Sequence, residues 1–209
     1  MVLILKDKMF AIKSAKISAT ILDPYWLRTY HPTGDPRLFW ALDVEAEQET
    51  GGEMWEPRAY HENLHFPIRR WMDVVGQVAE WSKPYDEEAG EYNGGFYVFE
   101  HGSIAHARLS FQERNGVTFR FKWEGVCDVC WDEDYGQNVP FSASGWAEFT
   151  GVTVQGSELD TDEMLRGRLA EYLDPRDFAY GSVLREGHRY ESGVKMVRAV
   201  FTPLRTPAA

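Results

Sequence analysis

Two runs of alternating residues around an Asn-Gly pair constrain this chain more than any other feature. Apolar residues occupy every second position in 105–111 and again in 117–123. Such alternation on both sides of Asn-Gly is the strongest short-range signal of a β-hairpin. The chain is therefore predicted to be built on a sheet.

The length of the hairpin loop follows from keeping the apolar side chains on one face. A two-residue turn at the Asn-Gly pair would set Phe111 against Arg120, which a half-buried sheet resists. A three-residue loop, 114–116, pairs Phe111 with Phe119 instead. Gly116 supplies the left-handed residue that such a loop needs at its last position. We therefore predict a type I turn with a bulge at Gly116.

Further strands are predicted from alternation at 10–22, 38–47, 96–101, 127–131, 146–154 and 195–201. The strand at 146–154 changes phase at Gly151, where a bulge is expected. Residues 23–37 and 83–95 are predicted to be loops, and Gly51-Gly52 to end the strand before it. Residues 53–82 are ambiguous between helix and strand, and within them residues 68–75 fit either a short helix or a strand ending at Gly76.

One helix is predicted after Asp160. Asp160 is a good N-cap with Glu163 in the capping-box position, and Pro175 ends the segment. Its apolar stripe consists of Leu165, Leu169, Tyr172 and Leu173. The fold class is thus predicted to be mainly β (α+β), an antiparallel β-sandwich or curled sheet with one or two packed helices. We expect a single domain over 1–209, with a frayed C-terminal tail at 202–209.

Composition excludes some partners and compartments. The net charge of −11 over 209 residues disfavours binding to nucleic acid or to anionic membranes. No apolar run is long enough to span a bilayer, and residues 1–6 do not have the pattern of a signal peptide. Two cysteines do not make a disulfide framework. A cytoplasmic protein is expected.

His61-Glu62-Asn63-Leu64-His65 matches the H-E-x-x-H motif. On a helix, His61 and His65 would share one face and bind zinc, with Glu62 as the base for a bound water. The similarity to zinc metalloproteases is confined to these five residues. Pro67 follows closely where the helix of those enzymes continues. A zinc-dependent hydrolase therefore stays an alternative.

Cys127 and Cys130 form a C-x-x-C with no second pair to complete a zinc ribbon. Acidic residues follow instead of the helix start that lowers a thiol pKa in redox motifs. In a strand the two sulfurs would point to opposite faces. A composite zinc site joining them to His61 and His65 would require the fold to bring all four together.

Acidic residues concentrate in two stretches. Residues 41–66 carry seven carboxylates and one Arg, and residues 124–134 carry five and no Lys or Arg. Trp and Tyr residues are interleaved with them. Acidic loops with aromatic anchors suit a basic protein partner, because the charges steer the encounter and the rings hold it. The residues predicted to bind the partner are Glu45, Glu47, Glu53, Trp55, Asp132 and Asp134.

The leading hypothesis is a non-catalytic protein that binds a basic protein. In profile, being small, acidic, Trp-rich and without catalytic motifs, the chain is similar to immunity and antitoxin proteins that neutralise a bacterial toxin. The zinc hydrolase is the first alternative. A small-ligand or carbohydrate-binding β-sandwich is the second, and a concave aromatic groove would favour it. The sequence leaves the partner, any substrate and the oligomeric state open.

Overall fold

The computed structural model describes residues 1–22, 38–48, 55–87, 90–130, 133–184, 193 and 195–204. The first strands of this part of the chain are β1 (Val2–Leu5), β2 (Lys8–Ile21), β3 (Leu38–Ala46), β4 (Arg58–Leu64), β5 (Val78–Trp81), β6 (Tyr85–Asp86) and β7 (Glu91–Tyr92). The later ones are β8 (Gly95–Val98), β9 (Glu100–Asn115), β10 (Thr118–Val129), β11 (Gly136–Ser157), β12 (Phe178–Leu184) and β13 (Met196–Pro203). The helix α1 (Asp162–Tyr172) follows β11, and 3-10 turns cover Trp71–Val74 and Pro175–Asp177.

The main sheet curls until its ends meet. Strands β2, β3, β4, β8, β9, β10 and β11 pair antiparallel in that order, and β11 then pairs parallel with β2. Strand β1 pairs with both β2 and β11, while β13 and β12 continue the sheet beyond β11. The predicted fold class is confirmed, with the curled sheet as its form.

Strand phase decides which side chains fill the inside of the curl. On β2, Ala15, Ile17 and Ala19 are buried, and Trp40 and Leu42 are buried on the neighbouring β3. This is the alternation that the sequence predicts, because successive strand residues point to opposite faces. Aromatic rings fill much of the interior, including Trp40, Trp71, Trp123, Phe119 and Phe149.

The predicted helix is confirmed, but its N-cap is Thr161 and not Asp160. The Thr161 hydroxyl accepts a hydrogen bond from the Met164 N–H at 3.3 Å. Asp160 is buried and pairs with Arg168 at 2.9 Å. It also accepts a hydrogen bond from the Ser157 N–H at 2.6 Å. The carboxylate predicted to cap the helix is therefore used in an ion pair and a backbone hydrogen bond instead.

The register predicted for the 105–123 hairpin is wrong, although its apolar face is right. Asn115 pairs with Thr118, so the loop has two residues, and Gly116 at its first position has φ +60°. A type II′ turn places Gly at that position with φ of that sign. The register then shifts so that Phe111 pairs with Phe121. This bulge in β9 returns the apolar residues to one face.

Several other predictions are corrected. Of the two alternatives for residues 68–75, the structure has the short helix, as a 3-10 turn, whereas residues 85–92, predicted to be loop, contain the small β6–β7 pair. Residues 96–101 are two strands joined by a tight reversal. The predicted frayed tail at 202–209 is wrong for its first two residues, which belong to β13. Strands β1 and β12 are not predicted at all.

The bulge at Gly151 is confirmed, since the pairing of β11 with β2 shifts between Phe149 and Val152. The loop at 23–37 and the break at 51–52 lie outside the described residues. Within the described part of the chain, no helix has both the length and the apolar character needed to cross a membrane.

Candidate functional site

The His61-Glu62-x-x-His65 segment is a strand and not the helix that a zinc site of this motif needs. His61 and Glu62 belong to β4, and His65 follows it as an exposed residue. His61 is 4% exposed, with its ring centroid 4.8 Å from that of Trp81. Burial lowers the pKa of His61 to about 4, and His65 contributes further. The helical spacing on which the zinc hypothesis depends is therefore absent.

The C-x-x-C residues lie at the end of β10 on opposite faces. Cys127 is buried and Cys130 is exposed, and neither forms a disulfide. Burial raises the pKa of the Cys127 thiol. Among the described residues, no group of three or more His, Cys, Asp or Glu side chains could hold a metal ion. The composite site joining both cysteines to His61 and His65 is thus not assembled in this part of the chain.

Two of the six predicted partner-binding residues, Glu53 and Asp132, lie outside the described residues. Glu45 is half-buried at the end of β3 and accepts a hydrogen bond from the Ser14 hydroxyl at 3.1 Å. Glu47 and Asp134 are exposed. We refer to Glu45 and Glu47 as the β3 patch.

Trp55 is not the surface anchor that the sequence suggests. It is 1% exposed and stacks on Phe10 at 6.4 Å, with Tyr135 edge-on at 5.0 Å. The Lys8 ammonium lies 4.5 Å from the centroid of the indole ring. The ring is therefore part of the hydrophobic core, closed off by lysine and tyrosine side chains.

Lysines in β2 and in the turn before it offset the negative charge near the β3 patch and Asp134. Lys13 pairs with Glu56 at 3.3 Å, and this pairing raises the pKa of Lys13, with further contributions from the negative charges of Glu45 and Glu47. The Lys6 ammonium donates to the Asp134 carbonyl at 2.8 Å. These cations are distant in sequence from the acidic stretches, so counting along the chain does not reveal them.

A different place concentrates acidic and aromatic groups. A cavity of about 710 Å³ opens where β4, β8, β9 and the end of β10 meet, with β7 on one side. The described residues that line it include four carboxylates and no Lys or Arg. These are Glu62, Glu91, Glu100 and Asp128. We call this space the acidic cavity.

Tyr60 and His101 form the aromatic part of the wall. Tyr60 Oη lies 3.0 Å from His101 Nδ1, and the two rings meet edge-on at 6.2 Å between centroids. Burial, followed by the charge of Glu62, raises the pKa of the Tyr60 phenol. The phenol therefore stays protonated at neutral pH and keeps the hydrogen bond. Tyr60 needs room above Gly95, its partner across the strands, because a Cβ there would overlap the phenol.

Asp128 is held in place at the other wall. Its Oδ2 accepts the Ser103 hydroxyl at 2.7 Å, and its Oδ1 accepts the Asn138 N–H at 3.1 Å. The backbone of β10 reaches this point because Gly102 leaves space, since a Cβ on Gly102 would overlap the Asp128 carbonyl oxygen. A carboxylate has about four lone-pair sites, so Asp128 keeps acceptor capacity beyond these two hydrogen bonds.

Exposed aromatic rings accompany the cavity. Strands β8 and β9 are joined by Phe99 alone, because Val98 pairs with Glu100, and Phe99 has φ +62°. A bulky residue in this conformation is uncommon and is found most often at functional sites. Phe99 is 52% exposed, and Tyr92 on β7 is 67% exposed. Large apolar surface is thus presented beside carboxylates.

Of the residues that line the cavity, Glu62 and Cys130 are candidates from the sequence, each as part of a hypothetical zinc site. The acidic cavity is drawn from three separated stretches, so no local motif marks it. One local feature of the sequence does mark the cavity: Gly94-Gly95 lies within a run of Tyr and Glu residues. This stretch is predicted to be a loop. In the structure, Gly95 leaves space for the Tyr60 ring, whereas Gly94 has φ +129°, a conformation that residues with a Cβ rarely adopt.

Comparison of the chain with protein-family models, with curated proteins and with solved structures finds no match.

Proposed function

We propose that this protein is a non-catalytic binding protein whose acidic cavity and surrounding aromatic residues receive a basic protein. A concrete form of this function is an immunity or antitoxin protein that neutralises a basic toxin. The single observation that carries the proposal is a cavity of about 710 Å³ with four carboxylates and no Lys or Arg among its described lining residues.

Charge and shape act together at this site. Carboxylates in a concave surface focus the electrostatic potential, which raises the local concentration of cations and the rate of encounter. Exposed aromatic rings are the residues that most often anchor a protein interface. Tyr92, which lines the cavity, and Phe99, which lies between the lining residues Val98 and Glu100, offer such rings. The net charge of −11 adds a long-range attraction toward basic partners.

The experiment is a matched charge reversal that compares the acidic cavity with the β3 patch. One variant carries Glu62→Lys and Glu100→Lys, and the other carries Glu45→Lys and Glu47→Lys, so both have the same net charge. The probe is fluorescein-labelled octalysine, titrated at low and at physiological salt. Circular dichroism confirms that each variant is folded.

We expect the cavity variant to bind octalysine about tenfold more weakly than the patch variant, with a flatter dependence on salt. Equal losses would show that only net charge matters and would overturn the cavity as the site. A larger loss in the patch variant would return the function to Glu45 and Glu47.

A second candidate function is the binding of a small neutral ligand such as a carbohydrate. The observation in its favour is the concavity itself, since about 710 Å³ lies within the range of small-molecule sites. Tyr60 and His101 would then act as stacking platforms. Binding of an oligosaccharide that does not change with salt would favour this function over the first.

A further inference from the structure

We propose that the acidic cavity is a receptor for the guanidinium group of an arginine side chain. This inference rests on the proposed function and names the chemical group that the basic partner inserts. It follows from the chemistry of the wall, which combines carboxylates with aromatic rings in one concave space.

The described residues that line the cavity would not repel an entering cation, because none of them is Lys or Arg. The guanidinium of Arg58 lies 5.2 Å from the centroid of the Tyr60 ring, which lines the cavity. Asp43 neutralises it with two hydrogen bonds, at 2.7 and 2.5 Å. Glu62 also attracts Arg58, but because Asp43 takes two of its hydrogen bonds, Arg58 offsets only part of the negative charge of the cavity.

Arg58 also shows how this surface accommodates a guanidinium. Its two nitrogens bind both oxygens of Asp43, while its carbon lies over Tyr60. The adjacent cavity offers the same two elements, with Tyr60 and His101 as rings and carboxylates as acceptors. A second guanidinium entering from a partner would meet chemistry that the protein already uses for its own.

A guanidinium suits such a wall better than an ammonium group. It is planar, donates to a carboxylate through two parallel N–H groups and stacks on aromatic rings. It is also less strongly hydrated than the lysine ammonium, so it enters a partly enclosed space at a smaller desolvation cost. Asp128, held by Ser103 and by the Asn138 N–H, presents a fixed carboxylate for this purpose.

Cys130 makes occupancy of the cavity directly measurable. It lines the cavity and is exposed, whereas Cys127 is buried, so a thiol reagent reaches Cys130 selectively. A group that fills the cavity shields Cys130 from iodoacetamide, which is neutral and therefore insensitive to the field of the carboxylates. The rate of alkylation, followed by mass spectrometry, reports occupancy at this place.

The probes are three acetylated and amidated heptapeptides with glycine at odd positions. Arginine, lysine or citrulline occupies the even positions; citrulline has the shape of arginine without its charge. We expect the arginine peptide to slow alkylation of Cys130 about tenfold at saturation, and the lysine peptide to require about fivefold higher concentrations. The citrulline peptide should give no protection.

The variant with Glu62→Gln and Glu100→Gln should lose this protection, and the matched variant with Glu45→Gln and Glu47→Gln should keep it. Equal protection by the arginine and lysine peptides would overturn the guanidinium inference and leave a general cation site, as the proposed function requires. Protection by neither basic peptide beyond that of citrulline would overturn both.

Discussion

The β3 patch and the acidic cavity are both acidic, but positive charges lie beside the patch and none lies among the described residues that line the cavity. Lys13 pairs with Glu56 beside the patch, and the carboxylates of the patch also act on it. The described lining of the cavity includes no Lys or Arg. Neighbouring aromatic residues differ as well, because Trp55 near the patch is buried whereas Tyr92 at the cavity is largely exposed. Charge density along the chain is therefore a poor guide to charge density in space.

The largest expected effect is on stability and separates the two kinds of aromatic residue. Trp55→Ala should lower the free energy of unfolding by about 3–5 kcal/mol, because it removes a buried ring. Tyr92→Ala should change it by less than about 0.5 kcal/mol, because that ring is exposed. Guanidinium chloride denaturation measures both. An unchanged stability with lost octalysine binding in Trp55→Ala would restore Trp55 as a surface anchor.

The next effect concerns pH, because His61 packs behind the acidic cavity next to Gly94. Its pKa falls from 6.5 to about 4 on folding, so the unfolded chain takes up the proton first as pH falls. Stability from this group is complete above about pH 6.5 and is lost toward pH 4. Between pH 7.5 and 4.5 the loss should be on the order of 2–3 kcal/mol.

His61→Gln isolates this contribution, because glutamine keeps a hydrogen-bond acceptor and does not titrate. The variant should lose about 2–3 kcal/mol less than the unmodified protein over the same pH range. His106→Asn is the matched control, since His106 is exposed and asparagine tolerates its positive φ. Parallel pH curves for the protein and His61→Gln would show that folding does not change the pKa of His61.

The smallest effect probes the lysines beside the patch. Replacing Lys8 and Lys13 by glutamine removes two positive charges there, and should raise octalysine affinity by about twofold at most, since exposed charges are screened. Arg120→Gln with Lys122→Gln makes the same change in net charge elsewhere and should have a smaller effect. A gain of tenfold or more would mean that the patch rivals the cavity once its lysines are gone.

How far the sequence predicts the structure depends on the distance over which the decisive interactions act. The apolar face of the 105–123 hairpin follows from local alternation. Its register does not, because one bulge near Gln112 shifts every pair beyond it. The helix is visible from spacing, whereas its N-cap depends on the ion pair between Asp160 and Arg168.

The acidic cavity shows the same limit more strongly. Spacing of the two histidines in 61–65 fits a helix, but pairing with β3 makes residues 61–64 part of β4. Glu62 then joins Glu100 and Asp128 only because neighbouring strands bring them together. The sequence gives no sign of this arrangement beyond the glycines that leave space for it.

The parallel pairing of β2 with β11 has a consequence for how the molecule forms. It brings Lys16 beside Glu148, so the long stretch of chain between them must form a closed loop before these contacts stabilise the fold. The strands around the acidic cavity belong instead to short reversals, such as β8 to β9 and β9 to β10. Non-local pairing slows folding. The parallel pairing of β2 with β11 is therefore expected to form late, after the cavity wall has assembled from strands that are close in sequence. The wall of the acidic cavity is thus expected to form before the sheet is closed.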